Sequence, residues 1–198
     1  MTNIQKAIFP MHYMNISQSY NEGNHIQHWQ EASKGKADYP IDICGMDSGK
    51  DYFYAPCDCK ITFIKAKNTP KWTNKMILVS IGKVRTPKYK DTQIFFKVVH
   101  FPYDNVKKYG LKVGRTFKKG EVICTEGKDD FSTGNHIHLS QGIGYANKSI
   151  YNKPIWKKNR KLVANGDNKY PQSIFYLDTK FTKKIIRSAG IKWTKIEV

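Results

Sequence analysis

Short strand-like runs rich in apolar residues, separated by turn-forming residues, constrain the fold of this chain more than any other sequence feature. The run Cys59-Lys-Ile-Thr-Phe-Ile-Lys-Ala alternates as a half-buried strand does. Gly, Pro, Asn, Asp and Lys lie between the runs, and these residues favour turns. Further runs of this kind cover residues 51–56, 76–81, 93–101, 121–127 and 136–140. The pattern predicts a mainly β fold, built as an antiparallel β-sandwich or an open barrel.

Helix signals are sparse in this sequence. Residues 103–109 predict one short turn of helix after the run that ends near residue 101. Residues 180–188 predict a second helix, because Asp178 and Thr179 precede them and both residue types cap helix N-termini well. We therefore expect few, short helices around a β core.

The C-terminal quarter of the chain differs in composition from the rest. Residues 148–169 are polar, basic and rich in Asn and Lys, which predicts a long exposed loop. About 50 residues barely supply a hydrophobic core of their own. We therefore predict one folded domain over residues 1–147, with residues 148–198 as a basic C-terminal tail that packs on this domain or extends it.

The charge of the chain indicates polyanionic partners. The formal net charge is +18, from 34 Lys and Arg against 16 Asp and Glu, and such a charge attracts nucleic acids and phosphate-rich wall polymers alike. Lys dominates and no arginine-rich block occurs, whereas bidentate recognition of bases favours Arg. The charge alone does not separate these two partners, so anionic wall polymers are one candidate, and the excess of Lys over Arg argues against a specific nucleic acid.

The sequence holds no signal for insertion into a membrane. No run approaches the roughly 20 apolar residues that a membrane-spanning helix needs. Residues 1–20 lack the apolar core of a signal peptide. We therefore expect synthesis in the cytoplasm without a signal peptide, and action elsewhere only after transport or release by other means.

Four cysteines, Cys44, Cys57, Cys59 and Cys124, leave several interpretations open. Cys57 and Cys59 are closer in sequence than the pair of a Cys-x-x-Cys zinc site. We expect four buried or unreactive thiols, with a structural metal site or a disulfide as the alternatives.

The clearest chemical signal is the segment Gly134-Asn-His136-Ile-His138-Leu-Ser. Side chains alternate along a strand, so His136 and His138 would share one face. Two adjacent imidazoles suit a metal site, where one binds the metal and the other handles protons or substrate. A pair of surface or core histidines that alternate without binding anything is the alternative for the motif taken alone.

The surroundings of this motif resemble one protein family. In chain order the segments are Tyr39-Pro-Ile-Asp42-Ile, Tyr54-Ala-Pro, Val98-Val-His100, Val113-Gly-Arg-Thr-Phe-Lys-Lys-Gly-Glu-Val-Ile-Cys-Thr-Glu-Gly127 and Ser132-Thr-Gly-Asn-His136-Ile-His138. Their order and type, over residues 18–142, resemble the lysostaphin-type zinc endopeptidases, which cleave the peptides of bacterial cell wall. Each segment alone is unspecific, and the combination carries the resemblance.

The resemblance implies a catalytic site with one zinc ion per chain. Asp42 and His138 would bind the zinc, while His100 and His136 would line the site and assist the chemistry as catalytic residues. Three protein ligands with an open fourth position are typical of catalytic zinc. Residues 1–147 would then be the endopeptidase domain.

The third zinc ligand is ambiguous, because this chain departs from the family pattern. The usual motif is His-x-x-x-Asp, and Asp38 lies four residues before Asp42. However, Gln18-Ser-Tyr-Asn-Glu-Gly-Asn-His25-Ile-Gln-His28 resembles a phage lysin branch in which an extended loop separates the histidine from the aspartate. This favours His25 as the ligand, with His28 as the alternative. Asp38 ranks last, since a site of two carboxylates and one imidazole is unusual for zinc.

The expected function is therefore zinc-dependent cleavage of peptidoglycan peptides by a phage lysin-like enzyme, which acts after release at lysis or as part of a virion. A catalytically degenerate wall-binding module is one alternative, supported by Asp38 at the position of the family's histidine. A basic nucleic-acid-binding β-domain is the other. It explains the charge but leaves the ordered histidines as coincidence.

Overall fold

The computed structural model describes residues 4–25, 38–46, 51–130, 132–152, 161–164 and 166–196, and over these residues the expected mainly β fold with few short helices is confirmed. The strands are β1 (Tyr13–Gln18), β2 (Ile41–Ile43), β3 (Tyr52–Tyr54), β4 (Cys59–Lys65), β5 (Lys75–Ser80), β6 (Ile94–Val99), β7 (Thr116–Phe117), β8 (Val122–Thr125), β9 (Ile137–Ile143), β10 (Ser149–Asn152), β11 (Lys161–Ala164), β12 (Asp167–Asn168) and β13 (Lys184–Arg187). The described helices are a 3₁₀ turn (Gly23–His25), α1 (Asp104–Lys108) and α2 (Pro171–Ile174).

Nine of the described strands form one large sheet. The order is β13-β1-β2-β9-β6-β5-β4-β7, and β12 pairs with β9 beside this path. Neighbouring strands are antiparallel except for β1 and β13, which are parallel. Two further pairs, β3 with β8 and β10 with β11, are also antiparallel. The sheet is therefore mixed, and the parallel pair joins strands from opposite ends of the sequence.

The hydrophobic core covers the large sheet on both faces. Every residue of β5 and β6 is buried, as expected for central strands covered on two sides. Successive side chains of β5 and β6 point to opposite faces of the sheet and so enter different clusters. Leu78 and Phe96 belong to the main core, and Ile77 and Phe95 belong to a smaller one. The candidate site lies on the same face as the smaller cluster. Val99 points to the same face of β6 as Phe95, because the two are four residues apart, and Val99 is paired with His138 on β9.

Most predicted elements are present where the sequence placed them. Each of the six strand-like runs contains a strand, and the predicted turn of helix at residues 103–109 contains α1. The predicted helix at residues 180–188 is wrong, because β13 occupies this segment. The Asp178 carboxylate accepts the backbone N–H groups of Lys180 and Phe181 at 3.0 and 3.3 Å, so it stabilises a turn rather than capping a helix.

The predicted exposed loop at residues 148–169 is also wrong, since β10, β11 and β12 lie within it. Residues further along contribute to the main core through Ile174, Phe175, Leu177 and Ile191. The division of the chain at residue 147 stays a prediction.

The four cysteines form no disulfide with one another and all are buried, which confirms the expectation of buried thiols. Burial raises the pKa of the Cys57 thiol to about 12, so this sulfur stays protonated and unreactive at neutral pH. Among the described helices, none is both long enough and apolar enough to cross a membrane.

Candidate metal centre

Two adjacent strands position the first two candidate ligands. Asp42 on β2 and His138 on β9 are directly opposite each other in an antiparallel ladder. This register brings Nδ1 of His138 to 3.0 Å from Oδ1 of Asp42. The pairing follows from the sequence: Ile41 and Ile43 flank Asp42, Ile137 and Leu139 flank His138, and all four apolar side chains are buried. Alternation therefore turns the carboxylate and the imidazole to the opposite face.

His25 comes from the other side of the site. It ends the 3₁₀ turn that follows β1, and only 3% of its surface is exposed. Its Nδ1–H donates to the carbonyl oxygen of Ser19 at 3.1 Å. This hydrogen bond fixes the ring with Nε2 free of hydrogen, and Nε2 lies 3.4 Å from Oδ1 of Asp42. A carbonyl partner on the outer nitrogen is the usual support of a metal-binding histidine.

The donor atoms of His25, Asp42 and His138 all lie within 4.8 Å of one another. Burial alone would raise the pKa of Asp42, but hydrogen bonds with His138 and His25 hold it well below its usual range. Burial lowers the pKa of His138 to about 4, against the opposing effect of Asp42. An ionised carboxylate and a neutral imidazole are the protonation states that bind metal. Two imidazoles with one carboxylate fit the ligand set of catalytic zinc.

His136 lies beside this group without joining it. Its Nδ1–H donates to the carbonyl oxygen of Gly134 at 2.9 Å, and its Nε2 lies 3.8 Å from Oδ1 of Asp42. Burial lowers the pKa of His136, and the nearby His100 imidazole acts in the same direction. His136 therefore presents a bare Nε2 next to the metal ligands.

His100 follows β6 and faces His136, with ring centroids 4.6 Å apart. Its Nδ1 lies 2.6 Å from Oδ2 of Asp129, which is 7% exposed. The backbone of His100 has a φ of +71°, a conformation that costs energy for a residue with a Cβ. The backbone N–H of His100 donates to the carbonyl oxygen of Asn74 at 2.9 Å, so the surroundings hold the imidazole in this unusual position.

Gly127 explains how His100 and His136 can approach each other. Its carbonyl oxygen accepts the backbone N–H of His136 at 3.1 Å. A Cβ at position 127 would overlap the carbonyl oxygen of His100 and the ring of Pro102. Glycine is therefore required here by space, since the two histidine-bearing segments close on its backbone.

Asp38, the least favoured ligand, lies elsewhere. Its Oδ2 is 2.7 Å from Nζ of Lys97 and accepts the Ser140 hydroxyl at 2.9 Å. All three residues are buried. A buried lysine of this kind needs a paired carboxylate, so Asp38 serves Lys97 beneath the site rather than joining the candidate ligands.

The structure thus brings together five residues proposed from the sequence: His25, Asp42, His100, His136 and His138. His28 lies outside the described residues. Asp129 is a further candidate site residue, which contacts His100 and which the sequence analysis did not identify. The only sequence feature that could have indicated Asp129 was its position shortly before the His-x-His segment. In the structure it lies in a turn, where Ser132 Oγ accepts its backbone N–H at 3.0 Å.

Comparisons with known proteins give one sequence relative and several distant structural likenesses, including two that cover 71% and 87% of this chain. No protein-family model matches the chain. Morphogenesis protein 1 of Bacillus phage B103 is 32% identical over 155 residues, which are 77% of this chain and 36% of that protein. This chain therefore spans about a third of the relative's length.

The two structural likenesses are weaker. A zinc-containing peptidase from Vibrio cholerae has a TM-score of 0.42 at 13% identity, covering 71% of this chain and 37% of the other. A chain of the SpoIIQ–SpoIIIAH pore-forming complex has a TM-score of 0.48 at 14% identity, covering 87% and 92%. At this distance neither indicates a function for this protein.

Proposed function

We propose that this protein is a zinc-dependent endopeptidase that hydrolyses a peptide bond in the stem peptides or cross-bridges of bacterial peptidoglycan. One observation carries the proposal: Nε2 of His25, a carboxylate oxygen of Asp42 and Nδ1 of His138 converge within 4.8 Å, with His100 and His136 beside them. The resemblance of the surrounding segments to lysostaphin-type endopeptidases supports the choice of substrate.

Zinc held by His25, Asp42 and His138 would supply Lewis acidity, which polarises a peptide carbonyl and makes water a better nucleophile. The donor set balances charge, because one carboxylate accompanies two neutral imidazoles. The bond between Nδ1–H of His25 and Ser19 keeps that ring oriented without metal, so the site is arranged before the metal binds.

His100 and His136 would divide the proton transfers. His100 resembles the histidine of a catalytic triad, because Asp129 holds Nδ1–H and leaves Nε2 to take a proton. We assign it the proton that the attacking water loses and the leaving amine gains. His136, kept neutral by burial, would accept a hydrogen bond at Nε2 and orient that water.

The biological setting follows from the sequence relative and the charge. A relative named as a phage morphogenesis protein supports a role for this enzyme in a phage, either after lysis or in a virion. The net charge of +18 would hold it on anionic wall polymers through many weak contacts.

The test combines zinc content with the clearing of purified Gram-positive walls, followed by turbidity. The native chain should bind one zinc and clear walls. His138→Ala should lose both the zinc and the clearing, because it removes a ligand. His136→Ala should keep the zinc and lose most of the turnover, because it removes only the group that orients water.

Two outcomes would contradict this proposal. No zinc and no clearing, in folded protein supplied with zinc, would favour a degenerate wall-binding module instead. Normal turnover by His136→Ala would overturn the role given to that residue.

A further inference from the structure

Asn74 extends the pairing of β5 with β6 by one residue. The register pairs Lys75 with Val99, and beyond this pair the backbone N–H of His100 donates to the carbonyl oxygen of Asn74 at 2.9 Å. The φ of +71° at His100 bends the chain at this point, since strand residues have a negative φ. The backbone of Asn74 therefore holds the strained residue by its N–H.

The side chain of Asn74 holds the far side of the same bend. Its Nδ2–H donates to the carbonyl oxygen of Phe101 at 3.1 Å, and its Oδ1 accepts the backbone N–H of Lys67 at 2.8 Å. Asn74 is only 7% exposed, and buried amide and carbonyl groups are stable only when they are paired. One buried asparagine thus bonds both the N–H of His100 and the carbonyl group of the next residue.

The loop that Asn74 closes, residues 67–74, also holds the segment of Asp129. Within this loop the carbonyl oxygen of Pro70 accepts the backbone N–H of Asp130, the residue after Asp129, at 3.1 Å. The loop connects β4 to β5, and neither strand carries a candidate site residue. Hydrogen bonds from one loop therefore hold the backbone at both residues whose side chains meet at 2.6 Å.

Packing does not hold this pair of side chains on the side of the loop. A pocket of about 230 Å³ lies there, and its walls include His100, Asp129, Asn74 and other residues of the loop. A side chain beside an open pocket has few neighbouring atoms on that side, so hydrogen bonds must fix its position.

We propose that Asn74 is a positioning residue, which keeps the His100 imidazole against the Asp129 carboxylate in the geometry that proton transfer needs. The proposal rests on the proposed endopeptidase function for the reaction, but the contact between the two side chains does not require catalysis. The backbone conformation of His100 is costly by itself, so it persists only while neighbouring groups hold it. A displacement of about 1 Å can lower a rate about 10²-fold, so even a small relaxation of the bend should lower turnover.

Asn74→Asp tests the hydrogen bond to Phe101 directly. Aspartate keeps the size of the side chain and the acceptor for the Lys67 N–H, but it replaces the Nδ2–H donor with an oxygen, which the Phe101 carbonyl oxygen repels. We expect kcat for wall peptides to fall at least about ten-fold. KM and zinc content should change less than about two-fold, because the substitution affects a proton transfer and alters no zinc ligand.

Two further variants separate the lost donor from the added charge. Asn68→Asp adds the same charge to the same loop at an exposed position and should keep the native kcat. Asn74→Ala removes the donor without adding charge and should lower kcat as Asn74→Asp does. Native kcat in Asn74→Asp, or an equal loss in Asn68→Asp, would overturn the proposal. Parallel losses of zinc and kcat would also overturn it, because they indicate a general loss of structure.

A second measurement needs no catalysis. The nitrogen chemical shifts of the His100 ring, read by NMR from its carbon-bound protons and assigned with His100→Gln, report which ring nitrogen carries the proton. In the native chain the Asp129 carboxylate should keep the proton on Nδ1. Asn74→Asp should shift the ring toward a mixture of both tautomers, and Asn68→Asp should not.

The NMR result distinguishes failure of the positioning role from failure of the proposed function. Unchanged ring shifts in Asn74→Asp would contradict the positioning role. If no wall peptide is cleaved but the shifts still separate Asn74→Asp from Asn68→Asp, the endopeptidase function fails and the positioning of His100 stands.

Discussion

At the scale of single residues, the histidines of the site differ in what their Nδ1 atoms contact. Nδ1–H of His25 and of His136 donates to backbone carbonyl oxygens, whereas Nδ1 of His100 lies against the Asp129 carboxylate. A carboxylate stabilises a protonated imidazole, and a carbonyl oxygen does so much less. The chemistry of each partner therefore distinguishes His100, to which we assign the proton transfer, from His25 and His136.

Asp129→Asn tests this division. The amide keeps the size of the side chain but removes the charge that stabilises His100 in its protonated form, and it can turn an N–H toward Nδ1 and favour the wrong tautomer. We expect kcat for wall peptides to fall by about 10² to 10⁴, with zinc content unchanged.

Asp130→Asn is the matched control for this change, because Asp130 is adjacent in sequence and exposed. It should clear walls at the native rate. Native turnover by Asp129→Asn would show that the carboxylate has no part in moving the proton.

The sequence predicted His25, Asp42, His100, His136 and His138 because each belongs to a segment with family resemblance. Asp129 lies in a turn, and its function depends on the backbone of His100, which has a positive φ. No local pattern predicts a contact between a turn and the end of a strand 29 residues away. Asp38 was weighed as a ligand because its partner, Lys97, is distant in sequence and becomes its neighbour only in the folded sheet.

At the scale of elements, the site depends on how closely β6, β8 and β9 approach one another. Gly127 follows β8 and forms a bridge to His136, while its Cα lies against the backbone of His100. The two histidines to which we assign one reaction are thus brought together by a single residue without a side chain.

Gly127→Ala should separate the two histidines. The added methyl group meets backbone and a proline ring, neither of which can rotate away, so the strands must shift. We expect a loss of roughly 1–3 kcal/mol in the free energy of unfolding, measured by urea denaturation, and at least about ten-fold lower kcat/KM.

Gly134→Ala provides the control, because it lies in the same segment and a Cβ there meets nothing within 4 Å. It should behave like the native chain. Equal stability of Gly127→Ala and Gly134→Ala would contradict the close packing at position 127.

Elements with internal periodicity were predicted well, and those that depend on distant partners were not. The sequence of β4 alternates between apolar and polar residues, and its first apolar positions, Cys59 and Ile61, are buried while Lys60 is exposed. In β13 all four residues are exposed, so it has no alternation, and only its pairing with β1 makes it a strand. Its two basic residues, Lys184 and Arg187, and its place after Asp178 are equally compatible with a helix until that partner is known.

For the whole molecule, the C-terminal residues are part of the core. Ile174, Phe175 and Leu177 are buried with Ala7 and Phe9 from the N-terminal segment. The backbone N–H of Phe9 donates to the carbonyl oxygen of Tyr176 at 2.8 Å. The two ends of the chain therefore depend on each other.

A chain truncated after residue 170 should not fold. It loses four apolar side chains from the core, Ile174, Phe175, Leu177 and Ile191. Each contributes about 2–5 kcal/mol, so their sum is as large as the whole stability of a typical domain, about 5–15 kcal/mol. Thermal melting followed by circular dichroism should show no cooperative transition.

Ile185→Thr is the matched control, because it changes the same C-terminal segment at a side chain that is 47% exposed. It should melt like the native chain. A truncated chain that melts cooperatively and clears walls would show that the C-terminal residues are dispensable.

The parallel pairing of β1 with β13 has a consequence for biosynthesis. A ribosome makes β1 first, and β1 supports β2 and its Asp42, yet the outer edge of β1 is paired only after β13 emerges. Arg187 then also donates to the carbonyl oxygen of Ser17 at 3.0 Å. Translation that stops before β13 would leave a fragment with every candidate metal ligand but an unfinished sheet. The order of synthesis thus leaves the edge of the sheet beside β2 and Asp42 incomplete until the segment that holds β13 has been made.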